Sequence, residues 1–336
     1  MDCITLKPGK LETEFLEELV FKNLKHRSPE VLVRPGVGED CATLDFGQYE
    51  CVMSTDPITA AISDIGRLAI HITCNDIASN GVKPLGIMLA VMLPLGTTTD
   101  DIERIMQQAA EASEELGVEI IGGHTEITPA VNRPVIVSTA IGKTLSGGSQ
   151  RATGMQASDL IYMTKQAGLE GAGIIASDFE KELLDVLTPE ELAEAKAYLK
   201  NVSVLKEGLA AGKVGTAGMH DITEGGVLGA VWELAEIADV GLKIIDANIP
   251  VTQPIKKISS HFGIDYRRLI SSGSMMIIVH PDKAKALEDA VRDAGVSMAR
   301  IGEVLPKEAG RMIVFADGKQ EPIDPPGSDE LYKVIN

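Results

Sequence analysis

Tyr49-Glu-Cys-Val-Met-Ser-Thr-Asp56 is an apolar-leaning run that ends on a carboxylate. Its pattern predicts a strand over Tyr49 to Met53 that delivers an acidic turn, Ser54-Thr-Asp56, to the edge of a core. The same design recurs where Val118-Glu-Ile-Ile121 leads into Gly122-Gly-His-Thr-Glu126. Two further acidic segments, Pro35-Gly-Val-Gly-Glu-Asp40 and Cys74-Asn-Asp76, fall in the same stretch of chain. Ligand sites favour the ends of strands. Carboxylates gathered there repel one another unless a cation lies between them, and oxygen ligands suit Mg²⁺, an ion that commonly also holds nucleotide phosphates.

Asp76 carries the sharpest of these signals. A helix is expected from Ser63 or Asp64 to Asn80, stopped by Gly81 and Pro84, and within it Ile65, Leu68, Ala69 and Ile72 form one apolar stripe. Asp76 falls four residues after Ile72 on that stripe, so a carboxylate points where a core residue belongs. Buried unpaired, it would cost several kcal/mol, so it is expected to meet a cation, a strong donor or water at a cleft. The alternative is an Asp in a frayed last turn that faces solvent. His124 is a candidate for a phosphate or a metal, and Glu126 suits Mg²⁺ as an oxygen donor. Farther on, His220-Asp-Ile-Thr-Glu-Gly-Gly226 opens an expected helix, where free amides would face an anion or where Asp221 or Thr223 would serve as the cap.

Around these motifs the periodicity places a helix over 11–24, strands at Gly86–Leu93 and Pro134–Ile141, and a helix from Thr98 or Thr99 to Gly117. Ser146-Gly-Gly-Ser-Gln150 is the expected boundary between a domain over 1–150 and a second over 151–336. The second set reads as a strand at Leu160–Met163, helices over 188–200, 202–211 and Gly225–Ile237, a strand at Met275–Val279, a helix over 282–294 and a strand at Ala299–Val304. Alternating strands and helices indicate a mixed α+β or α/β architecture. The Pro-Gly-rich tail from Pro325 is expected to be mobile.

The chain has 336 residues, 44% of them hydrophobic, and a formal net charge of -18 with no basic run. That charge opposes binding to nucleic acid or anionic membrane. No apolar stretch reaches the roughly 18 residues of a membrane span, and the start, Met1-Asp-Cys-Ile-Thr, lacks the regions of a signal peptide, so a cytoplasmic address is expected. Cys3, Cys41, Cys51 and Cys74 show neither a C-x-x-C pair nor zinc-site spacing and read as reduced structural thiols. Cys3, beside Lys7 and Lys10, is the one candidate nucleophile.

In this order the motifs resemble the aminoimidazole ribonucleotide synthetase superfamily, which includes thiamine-monophosphate kinase, selenophosphate synthetase and the carbamoyl dehydratase of hydrogenase maturation. Gly36-Val-Gly-Glu-Asp-Cys-Ala42 is similar to the family's Gly-Asp-Asp-Ala-Ala turn. Thr55-Asp56 and Asn75-Asp76-Ile-Ala match its acidic pair, and Asp221-x-Thr-x-Gly-Gly226 matches its second-domain glycine motif. The hydrogenase-maturation group is the most similar, extending to Ser272-Gly-Ser-Met-Met-Ile-Ile-Val279 and Ile301-Gly-Glu-Val304.

The resemblance implies a two-domain fold, with an N-terminal α+β domain whose sheet pairs across a homodimer and a C-terminal α/β domain. ATP would lie in a cleft near the dimer interface. Mg²⁺ would be held by Asp40, Asp56 and Asp76, with Glu126 as a further ligand. Gly36 and Gly38 would give backbone room, and Thr55, Asn75, Gly122, Gly123, Thr125, Thr223, Gly225 and Gly226 would complete the nucleotide site. Asp56, Asp76, His124 and Asp221 would carry the chemistry, with residues 221–226 bordering the acceptor. The implied function is ATP-dependent activation or phosphorylation of a small-molecule or protein-borne acceptor. A small-molecule kinase and a nucleotide-binding scaffold in metallocentre assembly are the alternatives. The chain departs from the family in ending Leu331-Tyr-Lys-Val-Ile-Asn336, without the carboxamide-bearing cysteine of the dehydratase. His124 stands where the kinases have Asp, and Glu224 stands where the maturation group has Arg.

Overall fold

The computed structural model describes residue 11, residues 13–59 and residues 64–335. Cys3, Lys7, Lys10 and Ser63 lie outside these. The first helical stretch is α1 (Thr13–Phe15), a π-helical turn over Leu16–Val20 and a 3-10 turn over Phe21–Asn23, none of it buried.

Six strands make the first sheet: β1 (Val31–Val33), β2 (Ala42–Asp45), β3 (Tyr49–Ile58), β4 (Pro84–Leu93), β5 (Glu119–Ile127) and β6 (Val135–Leu145), in the order β1-β2-β3-β6-β4-β5. Only β4 and β5 pair in parallel. Helices α2 (Ile65–Ser79) and α3 (Thr99–Leu116) link strands of this sheet, and α2 shares a core with residues such as Val52, Ile87 and Leu89. The start of α3 is a capping box: Asp101 N donates to Thr98 Oγ1 (3.2 Å) and Thr98 N to Asp101 Oδ2 (3.0 Å). Gly117, at φ 63°, ends it in the left-handed conformation.

Seven strands make the second sheet: β7 (Leu160–Thr164), β8 (Gly218–Asp221), β9 (Gly241–Ile245), β10 (Met275–Val279), β11 (Met298–Leu305), β12 (Arg311–Val314) and β13 (Gln320–Pro322), in the order β13-β12-β9-β11-β7-β10-β8. Its helices are α4 (Leu169–Asp178), α5 (Glu180–Leu183), α6 (Pro189–Ala197), α7 (Leu205–Val214), α8 (Gly226–Ala238), α9 (Gln253–Phe262), α10 (Ala284–Asp293) and α11 (Tyr332–Ile335). The unbroken apolar run of β10 follows from burial on both faces. Met276 and Ile278 join the core built with α8, whereas Met275, Ile277 and Val279 join the one built with α7 and α10.

Two expected turns are strand instead. Ser54-Thr-Asp56 continues β3, because β6 carries the ladder on from Ser54↔Ala140 to Ile58↔Ile136. Pro57 is accommodated there since β2 reaches only to Met53 on the other side. Gly122-Gly-His-Thr-Glu126 likewise continues β5 against β4. At Gly123 (φ 147°) a Cβ would stand 1.9 Å from the Leu89 carbonyl oxygen, so the glycine serves strand packing. The tail expected to be mobile is anchored: Asp329, Glu330 and Leu331 are buried.

Candidate functional site

Helix α2 is buried along nearly its whole length, Asp76 included at 5% exposure, which excludes the frayed-end alternative. Ser54, facing it from β3, brings its Oγ to 2.5 Å from Asp76 Oδ2 and 2.9 Å from the Asp40 carbonyl oxygen. Burial first, and then the nearby carboxylates of Asp56, Asp221 and Asp40, push the Asp76 carboxyl well above the usual range. Asp221, at the end of β8, is fully buried. Its Oδ1 receives a long contact from Ser79 Oγ (3.4 Å) and lies 3.8 Å from His220 Nδ1, and its Oδ2 has no hydrogen-bond partner.

His220 precedes it in β8 and holds two acidic groups. Its Nε2 lies 3.2 Å from Glu233 Oε2 on α8, and its Nδ1 lies 2.9 Å from Asp40 Oδ2, a charge contact without hydrogen-bond alignment. Burial opposes the imidazolium, but Asp40, Asp221 and Glu233 outweigh it and raise the His220 pKa well above its ordinary value. The loop that carries Asp40 reaches this place because Gly38 (φ 72°) lies flat on α8, where a Cβ would meet Ile237 Cδ1 at 2.7 Å.

Asp40, His220 and Asp221 each offer a ligand atom within 4.8 Å of the others. Asp76 and Asp221, both buried and both raised by burial and by nearby carboxylates, and the unpartnered Asp221 Oδ2 make a donor set suited to a hard cation. Asp40, Asp56 and Asp76 open onto a cleft of ≈ 570 Å³ that also reaches Thr223, Glu224, Ser272 and Tyr332. Its size is that of a small-molecule site. Gly36 and Gly38 line a smaller neighbouring recess with Glu233 and Pro326.

Other expected site residues do different work. Asn75 Nδ2 donates to the Val202 carbonyl (2.7 Å) and its Oδ1 accepts from Val204 N (2.9 Å), so its buried amide ties α2 to the second half and is closed to a nucleotide. Thr55, by contrast, does line the cleft, with its Oγ1 2.9 Å from Thr139 Oγ1. The start of α8 does not offer a set of free amides: Gly225 N donates to Asp329 Oδ2 (2.7 Å), Gly226 N to the Thr223 carbonyl (3.1 Å) and Leu228 N to the Arg267 carbonyl (3.1 Å). Gly122, Gly123, His124, Thr125 and Glu126 lie on the exposed edge strand β5, outside the cleft lining. Asp56, Ser138, Leu89 and Gly123 form one row across β3, β6, β4 and β5. Three strand spacings amount to about 14 Å, so Glu126 and His124 of the same chain cannot share an ion with Asp56.

Sequence reasoning missed His220 and Glu233 as the pair that pins Asp40, and it missed Glu170. This glutamate, in the first turn of α4, is 6% exposed, lines the cleft and leaves Oε2 without a partner. Burial, opposed by hydrogen bonds from Ser272, raises its pKa to about 7.

Residues 38–144 match the N-terminal domain of AIR synthase related proteins, and residues 156–315 match the C-terminal domain. With both domains in sequence, the chain belongs to the AIR synthase related family. It is 29% identical to a putative hydrogenase expression/formation protein of Methanocaldococcus jannaschii, over 97% of each chain. To the carbamoyl dehydratase HypE of Rhizobium leguminosarum it is 27% identical, over 85% of each. The fold is similar to that of HypE in its complex with HypF (TM-score 0.76, 24% identity, covering 93% of this chain and 99% of that one). It is equally similar to thiamine-monophosphate kinase bound to AMPPCP and TMP (TM-score 0.76, 19% identity, covering 97% and 99%).

Proposed function

We propose that this chain is a Mg²⁺-dependent, ATP-using enzyme that activates or phosphorylates a small-molecule or protein-borne acceptor, in the manner of a hydrogenase-maturation factor. The observation that carries the reading is the buried, partnerless Oδ2 of Asp221 beside an Asp76 carboxyl crowded by Asp56 and Asp40. Such a cluster of four carboxylates holds more negative charge than the single His220 imidazolium beside Asp40 and Asp221 balances. Mg²⁺ bound there would neutralise phosphate charge during transfer. Asp40, Asp56, Asp76 and Asp221 would hold the ion, Ser54 would orient Asp76, and His220 would keep the Asp40 loop against α8. The structure of HypE with ATP, similar at TM-score 0.73 and 23% identity, favours the same nucleotide.

Residues 1–150 form the nucleotide half in this reading, and residues 151–336 the acceptor half. A homodimer suits the first sheet, whose edge strand β5 and neighbouring β4 expose Ile121, Ile127, Leu85 and Met88. His124 and Glu126 would then act toward a site shared with the second copy. A small-molecule kinase is the second reading, favoured by the extension of the cleft along Glu170, Ser272 and Tyr332.

The test is Mg²⁺-dependent conversion of ATP, followed as ADP, AMP and phosphate with candidate acceptors present. Turnover that disappears in EDTA and in Asp76→Asn supports the enzyme. ATP that is bound but never converted identifies a scaffold.

A further inference from the structure

We propose that Glu170 and Glu224 form an acceptor subsite for a cationic nitrogen group of the amidinium, guanidinium or ammonium class. The proposal deepens the reading of the cleft as a substrate site and rests on it.

Glu170 stands apart from the aspartate cluster. It enters the cleft from α4, beside Thr223, Glu224, Ile270, Ser272 and Tyr332. At 6% exposure its Oε2 has no partner, and a buried acceptor without a donor carries a penalty that a bound donor removes. Ser272 hydrogen-bonds to the carboxylate, which fixes its direction. Glu224 is held in turn by Tyr332 Oη, which donates to its Oε1 at 3.2 Å. Asp329, close enough to act on both glutamates' surroundings, adds a third negative group behind them.

Among the described residues that line the cleft there is no Lys, Arg or His. A phosphate or carboxylate on the acceptor would therefore face glutamates, whereas a planar nitrogen cation would satisfy Oε2 and neutralise the wall in one contact. A second metal is a poorer occupant: among the described residues the ligand-bearing triple is Asp40, His220 and Asp221, and it excludes Glu170. A cation bound against the buried Glu170 would favour its ionised form and draw its pKa back down from about 7.

Acetamidinium, acetamide and acetate share one shape and differ in charge, so they serve as the probes. Ligand-observed NMR titrations in EDTA, without nucleotide and at about pH 8 to ionise Glu170, should rank them acetamidinium over acetamide over acetate. Glu170→Gln should weaken acetamidinium by about tenfold, Glu224→Gln should weaken it too, and Glu103→Gln on exposed α3 should leave it unchanged. Acetate binding as well as acetamidinium overturns the proposal, as does an order indifferent to both cleft variants or equally sensitive to Glu103→Gln. A separate Mg²⁺-ATP titration of the wild-type protein judges the nucleotide reading. ATP binding without acetamidinium preference rejects the subsite alone, and the reverse pattern rejects the nucleotide reading alone.

Discussion

His220 Nδ1 sits 2.9 Å from Asp40 Oδ2, and this contact fastens the glycine loop of the first half to strand β8 of the second. The other ring nitrogen faces Glu233, so one imidazolium holds two acidic groups across the region where the cleft forms. His220→Gln removes the imidazolium that faces both Asp40 and Glu233 and should destabilise the metal-free protein by about 3 kcal/mol in urea unfolding. The sign with pH follows from a folded pKa raised above 6.5. The His220 contribution is complete below pH 6.5 and lost as pH rises through the folded value, so the gap between wild type and variant should narrow in alkaline buffer. A gap that widens there contradicts the ion-pair account.

Asn75→Ala removes both hydrogen bonds to the 202–204 segment and strands a buried carbonyl and a buried amide. A loss of about 2 kcal/mol is expected, with hydrogen exchange accelerated at Val204 N. Protection unchanged at that amide would show that the tie is dispensable.

Asp329 accepts from Gly225 N (2.7 Å), Leu331 N (2.8 Å) and Ile270 N (3.2 Å), which makes it the anchor of the tail. Asp329→Ala should cost about 2 kcal/mol and open cleavage sites around Lys333 to limited trypsin digestion. Equal digestion rates in both proteins would contradict the anchoring.

Glu170 titrates near 7 in the folded protein against 4.5 ordinarily. Because the folded value is the higher one, stability is full below about pH 4.5 and declines as pH rises through about 7. Glu170→Gln should therefore match wild type near pH 4 and exceed it by a few kcal/mol near pH 8. Thermal melts at the two pH values check this, and parallel curves would mean that the carboxylate is not isolated.

Much of the fold is legible where one physical signal dominates. Met275–Val279 reads as strand because an unbroken apolar run needs cover on both faces, and α3 announces itself through Thr98, Asp101 and Gly117. Helix α4 is not legible. Leu-Glu-Gly-Ala-Gly resembles a turn, and it becomes a helix because Gly171 lies against Leu269 and Gly173 against Leu199. Strands β3 and β5 outrun their apolar segments because β6 and β4 supply ladder partners that local patterning does not see. The aspartates at 40, 56, 76 and 221 were readable from their motifs. Glu170 carries no motif, and its burial comes from the distant 270–272 segment and the cleft it faces. His220 had one available signal, its place immediately before Asp221 at the end of a short strand.

Calorimetric titration of ATP with and without Mg²⁺, on wild type and Asp76→Asn, tests the central claim most directly. Asp76 has a folded pKa raised above 3.8, so its ionised form destabilises the metal-free protein, and Asn should fold at least as well in EDTA at neutral pH. The account predicts Mg²⁺-dependent ATP binding by wild type, weakened about tenfold or more in the well-folded variant. ATP affinity that is the same with Mg²⁺, with EDTA and in Asp76→Asn would contradict it.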